Sequence, residues 1–209
     1  MHRTKAKGRT IGRLGAFPRV RPPARLKVFF ASHAPIAVIA RRGPSKYSQL
    51  ILWNTLTDEF TPGQWTRGHV QWAELSRNGK YISMQIMGAR PRREKGVLGL
   101  EQVAVLSRPP YFTALKARVG GFCVGNWIEI PEDLQKVEPA EAIQSVLPES
   151  YYLDASSRPC EGTDQRGRKI LLKEGSVWLL EESSRRLLFD ANHYDFEEVI
   201  APDWALTYD

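Results

Sequence analysis

The side chains that could do chemistry are few and far apart. The four histidines, His2, His33, His69 and His193, form no H-x-H or H-E-x-x-H pattern, and Cys123 and Cys160 form no C-x-x-C pair. A metal site would have to be assembled from distant ligands, with His33, His69, His193 and Asp195 as the available set. Acid–base chemistry has one candidate pair: in Tyr194-Asp195-Phe196-Glu197-Glu198, Asp195 and Glu197 fall on one face of a strand, where a solvated surface is the simpler role. A hydrolase using His69 or His193 is the catalytic alternative, yet no G-x-S-x-G elbow accompanies either residue. The glycine-rich stretch Gly120-Gly121-Phe122-Cys123-Val124-Gly125-Asn126 leads into an apolar run rather than a helix, so it reads as bulges or a close backbone approach, not a phosphate cradle. The chain is expected to bind rather than transform, with no catalytic residue, no cofactor and no metal.

Binding chemistry is better represented. The formal charge of +7 over 209 residues is concentrated at one end: residues 1–30 hold nine Lys or Arg and no Asp or Glu, which leaves 21 basic against 23 acidic residues in the remainder. A nucleic-acid role would rest on that tract, through Arg3, Lys5, Lys7, Arg9, Arg13, Arg19 and Arg21, and would be nonspecific and salt-sensitive. At the other end, residues 181–209 carry eight acidic residues against Arg185 and Arg186. Six tryptophans offer anchors for a protein partner. Trp53 and Trp178 are expected inside, and Trp65, in the loop-like Pro62-Gly63-Gln64-Trp65-Thr66-Arg67, is the expected exposed anchor, with Arg67 and His69 beside it.

The elements that must position these residues are strands. Leu50-Ile51-Leu52-Trp53 is a short apolar run, as in a strand buried on both faces. Ala73 and Leu75 alternate with Glu74 and Ser76, and Ile82, Met84 and Ile86 alternate with Tyr81, Ser83 and Gln85. Between them Asn78-Gly79 is the strongest turn signal, and a type I′ hairpin over residues 72–87 is expected. Further strands are expected at 26–32, 36–40, 97–106, 111–119, 122–130, 169–172, 176–180, 186–189 and 196–200. One short helix is expected from Pro139, with Ile143, Val146 and Leu147 on a shared face and Pro148 as its stop. Cys160 falls in a polar loop, whereas Cys123 lies in an apolar run, and a bridge between them is left open.

The stretch Ala73-Glu74-Leu75-Ser76-Arg77-Asn78-Gly79-Lys80-Tyr81-Ile82 resembles the strand-turn-strand of WD40-like and TolB-like propeller repeats, with Arg77 and Asn78 where Pro and Asp are usual. Leu52-Trp53-Asn54 is similar to the strand end of such repeats, and the order of elements through 107–115 is similar to that of a bacterial family built on them; the likeness is weaker over 169–204. The resemblance implies a fold and no activity. The expectation is thus a basic flexible tail (1–25) and one all-β, propeller-like domain (26–209) of antiparallel hairpins, with a β-sandwich as the alternative. Its expected role is a non-enzymatic protein-interaction module in a bacterial cytoplasm, with nucleic acid bound through the tail as the alternative. No run reaches the roughly 18 apolar residues of a membrane span.

Overall fold

In the computed structural model, residues 22–43, 46–88, 102–120, 127–138, 142–149, 151–193 and 197–208 are described. They form thirteen strands in three antiparallel sheets, none closed on itself. The first sheet is built by β1 (Arg25–Phe30), β2 (Ile36–Arg42), β3 (Tyr47–Asn54) and β4 (Glu59–Arg67), a simple meander. The second is a meander of β5 (His69–Leu75), β6 (Ile82–Met87), β7 (Gln102–Ser107) and β8 (Lys116–Gly120). The short β9 (Tyr152–Asp154) returns to the free edge of β1, and β10 (Cys160–Thr163), β11 (Lys169–Lys173), β12 (Ser176–Leu180) and β13 (Arg185–Asp190) make the third sheet.

The first sheet is the middle layer. Leu26, Val28, Phe30, Ile39, Ile51 and Trp53 pack against Ile170, Leu172, Val177 and Phe189 of the third sheet. From the opposite face, Phe29, Val38, Ala40 and Leu50 meet Val70, Ala73, Ile82, Met84 and Val105 of the second. Burial on both faces explains the consecutive apolar residues Ile36 to Ala40 in β2 and Leu50 to Trp53 in β3, whereas β5 and β6 alternate. A smaller core covers the outer face of the second sheet, where Ile128 and Ile130 lie over Tyr81, Ala104 and Leu106.

Polar side chains lock the layers at one end. The β10–β11 turn, Asp164-Gln165-Arg166-Gly167-Arg168, reaches across to the turns of the middle sheet. Arg168 donates from Nη1 to Asp58 Oδ2 at 2.8 Å and from Nη2 to Asp58 Oδ1 at 2.9 Å, while its Nε donates to the fully buried Asp164 at 2.6 Å. Gln165, also fully buried, sets its amide nitrogen 2.8–3.0 Å from the carbonyl oxygens of Ala31, Ala34 and Ile36 in the β1–β2 turn. Burial raises the Asp58 carboxyl, but the Arg168 fork, the Trp53 indole and the Arg186 charge more than offset it and hold the group below the usual carboxylate range.

Several expectations are corrected. Among the described non-glycine residues only Asp58 and Glu174 have positive φ, so Asn78-Gly79 is not a type I′ turn. Gly79 alone is left-handed there (φ 73°), closing a four-residue loop on the bond from its N–H to Ser76 O (2.9 Å). Asn78 is instead buried, donating to the carbonyls of Leu134 and Lys136 and accepting from Ser76 Oγ. The positive-φ pair that a two-residue I′ loop requires occurs at Glu174-Gly175 (53° and 78°), between β11 and β12. Pro62-Gly63 does not interrupt the chain: both lie in β4, an edge strand that tolerates a proline, and Gly63 admits the Pro110 carbonyl where a Cβ would stand 2.1 Å away.

The short helix is absent over residues 142–148. The N–H of Ile143 goes to His33 O (2.8 Å) and that of Val146 to Gln165 O (3.2 Å), so those donors bridge two turns instead of closing helical rings. The helical content of the described residues is three 3-10 turns, Glu132–Gln135, Ala191–His193 and Asp203–Leu206. Residues 127–130 and 197–200 are not strands, and the strand expected at 111–119 begins only at Lys116. Cys160 opens β10 as a free, half-buried thiol. The basic segment 1–21, Pro139, Cys123 and Asp195 lie outside the described residues.

Two outcomes follow from this end of the molecule. Gly79→Val forces a branched residue into left-handed backbone and sets its Cβ 2.7 Å from that of Ile36; a loss of about 1–3 kcal/mol is expected in urea unfolding. Arg168→Met strands two carboxylates, and a loss of about 3–5 kcal/mol is expected. Because the folded Asp58 carboxyl sits low, its contribution is complete above the unfolded value near pH 3.9 and is lost as pH falls through the folded one. Melting curves of wild type and Arg168→Met should therefore converge in acid.

Candidate anion-binding cleft

At the opposite end of the layers the interface between the first and second sheets turns polar. Along β1 the side chains on the face toward the second sheet run Phe29, Lys27, Arg25, and along β2 they run Val38, Ala40, Arg42, so the apolar seam ends in cations. Arg25 pairs with Arg42 across the ladder, and Arg42 pairs in turn with Ser48 of β3. The start of β5 forms the other wall with His69, Val70 and Gln71, and Asp154 and Ser156, at and just beyond the end of β9, close one side. The enclosed cleft has a volume of about 160 Å³. That is well below the roughly 300–1,000 Å³ of drug-sized sites, and it suits a single phosphate or carboxylate group.

Not every cation here is available. Lys27 Nζ donates to the Gln71 carbonyl at 2.5 Å and lies 3.2 Å from Asp154 Oδ2, so it ties β1 to β5 and β9. Burial raises the Asp154 carboxyl, but hydrogen bonds from the Ser156 side chain and backbone, together with Lys27, hold it below its ordinary value. Ser48 Oγ donates to Gly68 O at 2.9 Å. Arg25 and Arg42, by contrast, have no carboxylate within ion-pairing distance among the described residues. Like charges placed opposite each other on a ladder are destabilising, and guanidinium forks are matched to phosphate or carboxylate oxygens. His69 is lowered from its ordinary value, first by burial and then by Arg42 and Lys27, which keeps the ring neutral at neutral pH. With cations rather than a carboxylate beside it, and with Asp154 held by Lys27, this ring has the setting of a hydrogen-bonding group and not of a base in a dyad.

Of the residues singled out from sequence, His69 alone lines the cleft. Trp65 stands within β4, half-buried, with the Arg41 guanidinium 4.8 Å from its ring; Arg67 is exposed at the end of that strand. Trp53 is fully buried, whereas Trp178 lies half-buried beyond a bulge in β12, under Arg185 at 4.9 Å. His33 sits in the β1–β2 turn and His193 lies 3.1 Å from Asp190, so the described members of the histidine set are not gathered. Among the described residues, no group of three or more His, Cys, Asp or Glu could hold a metal ion. Among them, too, no helix is long and apolar enough to cross a membrane.

Sequence reading missed Arg42, Ser48, Gln71, Asp154 and Ser156, and assigned Arg25 to the tail. The available signal was the alternation Arg25-Leu26-Lys27-Val28 at the mouth of an apolar run, which marks a strand whose exit is cationic. No protein-family model, curated protein or solved structure matches the chain.

The lowered His69 fixes a sign. An unfolded chain takes up the proton near pH 6.5 while the folded one resists, so the stability that neutral His69 supplies is complete above that value and is lost as pH falls below it. His69→Gln is expected to flatten the fall in melting temperature between pH 7 and 5; NMR titration of the ring should place its midpoint below 6.5.

Proposed function

We propose that this protein is a non-catalytic binding module for nucleic acid, working in a bacterial cytoplasm on a propeller-like scaffold of stacked antiparallel sheets. The observation that carries the reading is the Arg25–Arg42 pair in a phosphate-sized cleft, with no carboxylate within ion-pairing distance among the described residues. Arg25 is also where the acid-free stretch bearing Arg3, Lys5, Lys7, Arg9, Arg13, Arg19 and Arg21 joins the folded body. The tail supplies charge that follows a phosphate backbone, and the cleft supplies two guanidiniums from residues set opposite each other by the β1–β2 register.

A protein partner is the second reading, favoured by the exposed side chains of Ile200, Trp204, Leu206 and Tyr208 on the carboxyl-terminal segment. The body's near balance of charge also suits it, and Trp65 and Arg67 remain the residues first to be tested for it.

The test is fluorescence anisotropy of a labelled random-sequence duplex from 50 to 200 mM salt. If six or more phosphates are engaged, affinity should fall by about a thousandfold over that range. Arg25→Gln/Arg42→Gln should weaken binding and lower the slope of log K against log salt by about two units, at roughly 0.9 for each phosphate no longer neutralised. Replacing the seven tail cations by Gln should lower it further. An unchanged slope in both variants would remove the reading and leave the protein partner in its place.

A further inference from the structure

Resting on that reading, we infer that Trp72, backed by Trp127, is a base-stacking platform, which makes the ligand single-stranded nucleic acid. Trp72 sits on the strand that walls the phosphate-sized cleft. β5 carries a bulge between Val70 and Trp72. Such a bulge re-aims side chains. Val70 points into the core between the sheets, and Gln71 contributes to the cleft wall, its carbonyl held by Lys27. The next residue, Trp72, pairs with Gln85 and stands on the outer face of the second sheet, the face on which Ser83 Oγ donates to Ile128 O. Wall and indole are therefore consecutive residues, about 3.8 Å apart at Cα.

Neighbouring side chains on that outer face are covered: Tyr81, Ala104 and Leu106 are buried beneath Ile128 and Ile130. Trp72 is 37% exposed although its ring is apolar. It is also held in place, with the Trp127 ring 4.3 Å away between centroids at 45°. Among the described residues β5 is the outermost strand of its sheet, and none of their strands lies between the cleft and the indole at that edge. A nucleotide presents a phosphate and a flat base joined by a sugar, which matches two guanidiniums on one side of an edge strand and an exposed ring on the other. A duplex keeps its base faces stacked on one another and has none to offer. Polyphosphate has no bases at all.

The full chain is titrated with an oligothymidine, a duplex of equal length and inorganic polyphosphate, reading anisotropy and quenching of tryptophan emission. Wild type is expected to prefer the single strand to the duplex by tenfold or more, with emission quenched. Trp72→Leu should weaken single-strand binding by roughly tenfold and erase the preference. Its affinity for polyphosphate should be unchanged, and Trp72→Phe should keep most of the preference. Circular dichroism and melting temperature confirm that both variants are folded. If wild type binds single strand and duplex equally and Trp72→Leu changes neither, the stacking inference is overturned while the phosphate reading stands. If no anion binds, both fall.

Discussion

The fork between Arg168 and Asp58 is the contact on which the stack of sheets depends. A sheet buried on both faces gains from apolar area on each side, but apolar contact is non-directional and does not fix how three sheets register at their ends. The turns joining β1 to β2 and β3 to β4 present carbonyls there that need partners, and burial without them would cost about 1–3 kcal/mol each. The turn 164–168 answers with a side chain for each: Gln165 for Ala31, Ala34 and Ile36, and Arg168 for Thr55 and Asp58. Asp164 completes the set by holding the Arg168 Nε and the backbone N–H groups of Arg166 and Arg168. The two acids of Arg168 come from different sheets, so the third sheet cannot slide on the first without separating charges in a desolvated place.

That arrangement leaves the far end free to be less than optimal. With one end locked and the apolar seam in the middle, the fold tolerates Arg25 opposite Arg42, a pairing that disfavours the β1–β2 ladder. The bond from Lys27 to the Gln71 carbonyl ties the two sheets there, and among the described residues the two guanidiniums have no carboxylate within ion-pairing distance. Local cost at the mouth of a well-held core is the usual mark of a site kept for a ligand.

The sequence disclosed strands better than it disclosed junctions. Leu50 to Trp53, Lys169 to Leu172 and Ser176 to Leu180 are legible because burial or alternation is written into consecutive residues. Pro62-Gly63 misleads because an edge strand forgives a proline and a close carbonyl demands a glycine, and neither condition is local. The helical spacing of Ile143, Val146 and Leu147 misleads for a related reason: the N–H groups of Ile143 and Val146 find partners on His33 and Gln165, more than 15 residues away, that single-segment reasoning does not see. The cleft was hidden in the same way. Counting charges put Arg25 in a tail, because only the β1–β2 register sets it against Arg42, and only the layering of β5 on the middle sheet brings His69 to both.

This division has a consequence for where function can reside. The clamped end is rich in polar groups, yet nearly all are occupied with one another: Asp58 with Arg168, Gln165 with three carbonyls, and Asn78 with Leu134 and Lys136. A ligand there would have to displace contacts that hold the layers, at a cost of several kcal/mol. At the open end an anion bound between Arg25 and Arg42, opposite each other on the ladder, would relieve a repulsion instead of breaking a bond. On the proposed reading the same residue types serve stability at one end and recognition at the other, and the difference lies in whether the partner is already part of the chain.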